Sequence, residues 1–486
     1  MKKYPPLAIV LLAILLAFAL LTRDHEWGDD WASYVMQAVA ITQGDTADFL
    51  ARNAFTMRES THFLGPDAYP WGFPVFLAPF TLACGPLNIF CLKFLNLIFW
   101  ALFLWALHIF LARRLPPLES SLILAIFAAS PVLLQFVDIV QSDIAFLFFS
   151  TLALVLVERI NNSLYEKALL GLVIFLAFFV RTNGLLLLPT LFLTQAFAYF
   201  QTSPRFQLDP KRLLSPGLIP YLVFCLLALA NFLLFPAGEG LHFARLSVIS
   251  PASLAANLSM YFSLPAAFFE PLPHALIVYG ILLPFFLGGV TLQFKRDIHI
   301  VVYLLLSYLL FIFWPETQGI RFLFPLLPFF VYFAYQGMIA ASLALTERFQ
   351  RAGVWLTRGF WLVILAVFAW TSLSAARDNL AQGRGPYGNV FDPLSIKMFG
   401  YIRVNTPEDS VIAFYKPRAL RLFTGRSALL IDTCDALPKA DYVILRKSRG
   451  AVDQIAPNEV ETCNPSVQVT EAFSNAKFVI YEVAER

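Results

Sequence analysis

The sequence predicts a polytopic α-helical membrane protein of about eleven spans, with a small C-terminal α/β domain on the outer face. Three observations carry this expectation. Hydrophobic residues make up 59% of the 486 positions and charged residues only 14%, where a soluble globule runs near a quarter charged. Apolar runs close to the ~20 residues that a bilayer core demands recur from the N-terminus to about Ser374. The basic residues fall in short clusters between those runs rather than in one patch, and a net charge of +3 is too small to argue for a nucleic-acid partner.

The first run, 5–22, follows Lys2 and Lys3 and has no clear small-residue cleavage site before Arg23. It reads as an uncleaved span with the N-terminus inside, not as a secretory signal. Further spans are expected at 87–112, 120–137, 143–157, 168–180, 184–200, 217–235, 274–294, 298–314, 322–343 and 359–374. Alternation then puts Arg113 and Arg114, Arg159 and Lys167, Arg205 with Lys211 and Arg212, Lys295 with Arg296, and Arg348 with Arg351 and Arg358 on the cytoplasmic side. The register holds only if 71–83, with Pro70 and Pro74 at its start, does not cross, so that stretch is expected to lie as a helix in the outer interface. An odd number of spans leaves the C-terminus outside.

Residues 1–376, with an outer loop at 23–86, form the expected membrane domain, and 377–486 the expected exterior domain. In the latter, β-rich runs at 411–415, 442–446 and 478–483 alternate with segments such as 393–404 that suit a helix. It shows no catalytic constellation, and its expected role is to cover the site or help hold an acceptor. Cys84, Cys91 and Cys225 sit in apolar stretches and read as packing residues, whereas Cys434 and Cys463 lie where an oxidising compartment permits a disulfide. No Cys or His pair has zinc-ligand spacing, and no glycine-rich phosphate loop follows a strand.

The topology gathers charged residues at the outer interface. His25-Glu26-Trp27-Gly28-Asp29-Asp30-Trp31 places two adjacent carboxylates just after the first span. Such a pair gains little from lipid and is well placed to take a proton from a hydroxyl. Asp138 and Asp143 stand in the turn between the third and fourth spans, Arg181 between the fifth and sixth, and Glu316, Gln318 and Arg321 in the loop 315–321. Lys93 lies two turns inside the second span, about 9 Å deep. Each has a plainer reading: Asp29 and Asp30 capping a helix near Trp31, Ser142 and Asp143 capping the fourth span, Arg181 and Arg321 anchoring at headgroups, and Lys93 snorkelling. Tyr69, Trp71 and Trp31 read as interfacial belt aromatics, and His62, His242 and Glu270 have no assigned role.

These segments resemble, in order along nearly the whole chain, those of the C-type membrane glycosyltransferases, in particular the bacterial group of protein O-mannosyltransferases, aminoarabinose transferases and lipopolysaccharide-core galacturonosyltransferases. Gly28-Asp29-Asp30-Trp31 with Tyr34 is similar to the acidic motif of the family's first outer loop, although it departs from the commoner Asp-Glu form. Tyr69-Pro70-Trp71-Gly72-Phe73-Pro74 resembles the start of its interfacial helix, and Lys93-Phe94-Leu95-Asn96 the basic-x-x-Asn of the second span. Ser142-Asp143, Arg181-Thr182-Asn183-Gly184 and Arg321-Phe322-Leu323-Phe324-Pro325 are similar to later motifs. Lys416-Pro417-Arg418 and Thr424-Gly425-Arg426 resemble the exterior domain of the group.

The resemblance implies an inverting glycosyltransferase in a bacterial inner membrane. It would move a sugar from a polyprenyl-phosphate donor to a glycan, lipid or protein acceptor on the outer side. Asp29 or Asp30 would be the base, Arg321, Arg181 and Lys93 the cations for the leaving phosphate, and Asp143 and Glu316 secondary acidic candidates. No nucleotide is required; some relatives bind a divalent cation at such carboxylates. Two other classes are weighed against this. A ligase or polymerase of O-antigen type would depend on a large outer loop. A secondary transporter would show repeated halves and polar residues near mid-membrane, which this sequence lacks.

Overall fold

The computed structural model describes residues 5–158, 163–202, 216–236, 238, 249–314, 319–385, 387–448 and 453–485. Every expected span has a described helix under it. Among the described residues, five helices have both the length and the apolarity of a span: Ile89–Ala112, Thr182–Gln201, Pro251–Phe269, Ala275–Gln293 and Glu347–Ala381. Pro117 and Pro131 stand near the starts of Pro117–Ala128 and Pro131–Val137, where their missing N–H is tolerated, and the two helices form a further broken span bent by 54°. Shorter apolar helices, among them Pro6–Leu20, Gly72–Cys84 and Asp143–Val157, pack between these. The result is a multi-pass helical bundle.

One helix falls in a stretch expected to be an outer loop. Ser250 and Ser253 form a reciprocal capping box at the start of Pro251–Ser263. Asn257 then donates to the carbonyls of Ile312 and Trp314 at the end of Ile298–Phe313. Such polar residues hold the mean hydropathy of Pro251–Phe269 at 1.2, against 2.2 for Ala275–Gln293, which hid it from the apolar pattern.

Because lipid is as apolar as leucine, packing and polar contacts between helices hold such a bundle together. Trp100, Phe103, Phe110 and Tyr332 are fully buried at its centre. At the end expected to be cytoplasmic, Arg114 pairs with both Glu158 and Asp297, and Asp297 also accepts from Tyr332 at 2.8 Å. Arg358 pairs with Glu119. Basic residues expected as orientation signals therefore also tie helices together. Arg159, Arg205, Lys211 and Arg212 lie outside the described residues.

The helix Glu347–Ala381 runs through residue 376 towards the exterior domain. There, β1 (Val411–Ala413), β2 (Ser427–Leu429), β3 (Tyr442–Arg446), β4 (Val467–Ser474) and β5 (Phe478–Glu485) form one sheet in the order β2-β1-β3-β5-β4. β1 is parallel to β2 and β3, while β5 is antiparallel to β3 and β4. The helix Pro393–Asn405 starts at Asp392, which accepts from Ser395 N, and Pro417–Thr424 crosses from β1 to β2. Cys434 and Cys463 are joined. So are Cys84 and Cys91, which corrects their reading as packing residues. Gly85 ends Gly72–Cys84 and Asn88 caps the next helix, so the chain reverses and brings the two thiols together.

Asp24 ties the first outer loop to the segment that follows Glu347–Ala381, accepting from the backbone N–H groups of Tyr387, Asn389 and Phe391 at 2.8–3.1 Å. Sheet and bundle are thereby held against the loop that carries Asp29 and Asp30.

Candidate active site

Asp30, Tyr34 and Gln37 stand at i, i+4 and i+7 of the helix Asp30–Gln43 and so share a face. Gln37 clamps the backbone of Tyr69, accepting from its N–H at 3.1 Å and donating to its carbonyl at 2.9 Å. The clamp sets the Tyr69 hydroxyl 2.6 Å from Asp30 Oδ1, to which it donates. The Tyr34 and Tyr69 rings lie 4.6 Å apart, and the Tyr34 hydroxyl meets Ser142 Oγ at 3.0 Å. These tyrosines are parts of the site. Trp31 and Trp71 are also buried, with Trp71 Nε1 donating to the Pro236 carbonyl at 3.1 Å, so the belt reading of Tyr69, Trp71 and Trp31 is corrected.

Ser142 makes no side-chain cap bond to the helix Asp143–Val157; its hydroxyl is turned to Tyr34 instead. Asp143 is buried, its Oδ1 paired with Arg181 and its Oδ2 without a hydrogen-bond partner among the described residues. Arg181 takes an extended conformation that ends Leu164–Val180, and the chain folds back so tightly that a Cβ on Gly184 would lie 2.3 Å from Phe178 N. That close approach explains the glycine of Arg181-Thr182-Asn183-Gly184. Arg321, in the tight turn Ile320–Leu323, donates to Gln141 Oε1 at 3.2 Å and lies 3.5 Å from Asp30 Oδ2. The Arg181 and Arg321 guanidinium groups lie 4.8 and 5.7 Å from the centre of the Phe322 ring.

Most of these groups open on one cavity of about 600 Å³, within the range of small-molecule sites. Asp30, Tyr34, Tyr69, Gln141, Asp143, Arg181 and Arg321 line its polar part, and Phe178, Phe179, Phe232, Phe235, Phe311 and Trp314 its aromatic part.

Two of the expected residues are elsewhere. Asp29 accepts from Arg418 N at 3.3 Å and Ala419 N at 3.0 Å, capping the helix Pro417–Thr424. Burial pushes its carboxyl above the ordinary range, and Arg418 opposes that shift. Lys93 is fully buried and does not line the cavity; its three N–H groups are surrounded by Thr22 O, Thr22 Oγ1, Asp24 O and Asp138 Oδ1 at 2.7–3.0 Å. An ammonium so engaged has no donor to spare, and Lys93 stands apart from Arg181 and Arg321 at the cavity. Glu316 and Gln318 lie outside the described residues.

The sequence reading missed Tyr69, Gln141 and Arg418 as site residues. Gln141 was signalled only by adjoining Ser142-Asp143, and Arg418 only by the likeness of Lys416-Pro417-Arg418. Glu26 borders a second cavity of about 310 Å³ with Thr22 and Asp138. Burial raises its carboxyl, with Arg321 opposing.

No known family profile matches the sequence, and no curated protein is similar to it. Solved structures are similar in fold. ArnT from Cupriavidus metallidurans bound to undecaprenyl phosphate superposes with a TM-score of 0.58 at 12% identity, over 98% of this chain and 97% of that one. The oligosaccharyltransferase of Archaeoglobus fulgidus, tethered to an acceptor peptide, gives 0.54 at 12% identity over 92% and 69%. The same archaeal enzyme in complex with an inhibitory peptide and a dolichol-phosphate gives 0.52 at 12% identity over 92% and 70%. The chain has the fold of the C-type membrane glycosyltransferases.

Proposed function

We propose that this protein is an inverting glycosyltransferase that moves a sugar from a polyprenyl phosphate to a hydroxyl of an envelope glycan, lipid or protein, on the outer side of a bacterial inner membrane. The observation that carries this reading is the cavity lined together by the carboxylate Asp30, the guanidinium groups of Arg321 and Arg181, and an aromatic wall. The neighbours solved with undecaprenyl phosphate and with dolichol-phosphate support the donor class. The two disulfides support an oxidising outer compartment.

In this mechanism Asp30 Oδ1 is already occupied by Tyr69, so Oδ2 takes the proton from the acceptor hydroxyl. The acceptor oxygen bonds to the anomeric carbon as the bond from that carbon to the phosphate oxygen breaks, with inversion, and polyprenyl phosphate leaves. Arg321 and Arg181 hold the phosphate oxygens as negative charge gathers on them, and Asp143 orients Arg181. A divalent cation would need a carboxylate oxygen free of guanidinium. Asp30 and Asp143 are each paired with one through a single oxygen, and Asp143 Oδ2, without a partner among the described residues, is the oxygen that would hold such a cation; no step is assigned to it.

Glycan mass spectrometry of a strain lacking the gene, complemented with single variants, tests the reading. Asp29→Asn is expected to restore the modification and Asp30→Asn to abolish it, and full restoration by Asp30→Asn would remove the proposed base.

A further inference from the structure

We infer that Arg418 of the exterior domain is a positioning residue for the base, acting on Asp30 through the Tyr69 hydroxyl; the inference rests on the assignment of Asp30 proposed above. Arg418 is buried, with Nη1 3.3 Å from the Tyr69 oxygen and Nη2 on the Pro66 carbonyl. A guanidinium has donors and no acceptor, so at this contact the Tyr69 oxygen accepts. The phenol has one proton, and it is left for Asp30 Oδ1 at 2.6 Å. The chain Arg418 to Tyr69 to Asp30 therefore runs in one direction. Donation from a cation polarises the phenol and strengthens its bond to the carboxylate. With Oδ1 engaged by Tyr69, Oδ2 is the oxygen paired with Arg321.

The surroundings fix this relay at several points. Arg418 lies in the first turn of Pro417–Thr424, the helix whose N-terminus is capped by Asp29, so the neighbour of the base holds the residue that orients the base. Three residues on, Arg421 donates to Asn53 Oδ1 at 2.6 Å, and Asn53 in turn donates to the Asp67 carbonyl at 2.6 Å. The segment that leads into Tyr69 is thus held at the Pro66 and Asp67 carbonyls. Gly65 has φ +93°, and a Cβ there would stand 3.3 Å from the Tyr69 hydroxyl and 3.7 Å from Arg418 Nη1. A side chain at that position would be strained by the positive φ and would press on the Tyr69 hydroxyl. Sequence analysis expected the exterior domain to cover the site or hold an acceptor; in this inference it completes the catalytic constellation.

The test uses the full-length protein in lipid nanodiscs. Substrate-free infrared difference spectra, wild type minus Asp30→Asn at neutral pH, isolate the Asp30 carboxylate band. Tyr69→Phe and Arg418→Ala are each expected to shift that band in the same direction, and Arg418→Ala is expected to add nothing on a Tyr69→Phe background. In transfer reactions, polyprenyl-phosphate sugars extracted from the parent strain serve as donor and membranes of the deletion strain as acceptor. Each single variant is expected to lose roughly tenfold in kcat with the donor KM unchanged, and the double variant no more than Tyr69→Phe alone. Arg418→Lys, which keeps a charged donor, recovers part of the loss and replaces Arg418→Ala in the cycle if the latter does not fold. An unmoved band, or losses in the double variant that multiply to roughly a hundredfold, overturns the relay. If the wild type transfers no sugar, the proposed function falls while the infrared cycle still judges the relay.

Discussion

Asp29 and Asp30 are adjacent in the chain but turn their carboxylates to different partners: Asp29 to the first turn of the helix Pro417–Thr424, and Asp30 to Tyr69, Arg321 and the cavity. The acidic pair thus joins the helix Pro417–Thr424 on one side and meets Tyr69 and Arg321 at the cavity on the other.

Asp29→Asn is expected to leave the fold at least as stable as wild type at neutral pH. Burial raises the folded carboxyl above its unfolded value, so the folded chain binds that proton more tightly than the unfolded one. The stability contributed is therefore full below the ordinary aspartate range and is lost as pH rises through the folded pKa. The amide of Asn is neutral throughout, which removes the burial penalty, and its single oxygen keeps the bond from Ala419 N while the weaker one from Arg418 N is lost. Thermal melts from mildly acidic to neutral pH check this, and a variant melting several degrees below wild type at neutral pH would contradict it.

His25 is expected to impose an opposite pH dependence. Its Nε2 accepts from Val140 N at 3.1 Å while Nδ1 contacts the Glu26 carbonyl at 3.1 Å, which fixes a neutral tautomer. Burial, helped by the charge of Lys93, lowers its pKa from 6.5 to about 3. Between those values the unfolded chain binds a proton that the folded chain refuses, so stability falls on acidification by up to about 1.4 kcal/mol per pH unit. His25→Gln should flatten this part of the stability profile in denaturation measured across the same window; an unchanged slope would count against it.

Lys93→Ala is expected to damage the fold more than donor binding. It leaves Asp138 without its cation, a loss of about 3 kcal/mol, the lower end for a broken buried pair because the Asp138 side chain keeps 21% exposure. Undecaprenyl phosphate affinity, measured on protein that remains folded, should be near that of wild type. A selective loss of affinity with normal stability would return Lys93 to the phosphate site.

Arg321→Lys is expected to cost transfer roughly ten- to a hundredfold. A lysine keeps the charge but cannot contact Asp30, Gln141 and a phosphate with one planar fork. Steady-state kinetics should place most of the loss in kcat, and wild-type rates would rule out the role.

The bundle was legible because span length, charge clusters and proline positions act locally. Arg181, Arg321 and Asp143 were legible for a related reason: a charge at the end of an apolar run has few places to go, and alternation brought all three to one side. Asp29 and Asp30 could not be told apart, since their difference depends on a helix that starts at Pro417, far along the chain. Lys93 could not be located from sequence because depth in a span does not reveal a buried partner such as Asp138. β1 and β2, three residues each, gave too short a pattern to separate from the loops around them. Arg418 could not be weighed from sequence, because its role depends on which oxygen of a distant tyrosine network it meets.

The clamp of Arg418 on Tyr69 also bears on how the protein is made. Asp30 and Tyr69 emerge from the ribosome early, and Arg418 only after every apolar helix of the bundle has been synthesised. The last part of the chain to be made completes a site begun by the first. A nascent chain halted before Pro417 would carry all its membrane helices and still lack the contact that orients its aspartate. The Arg418–Tyr69–Asp30 contact is in that sense a late checkpoint of biosynthesis, reached only when the C-terminal sheet folds onto the segment that follows the first helix.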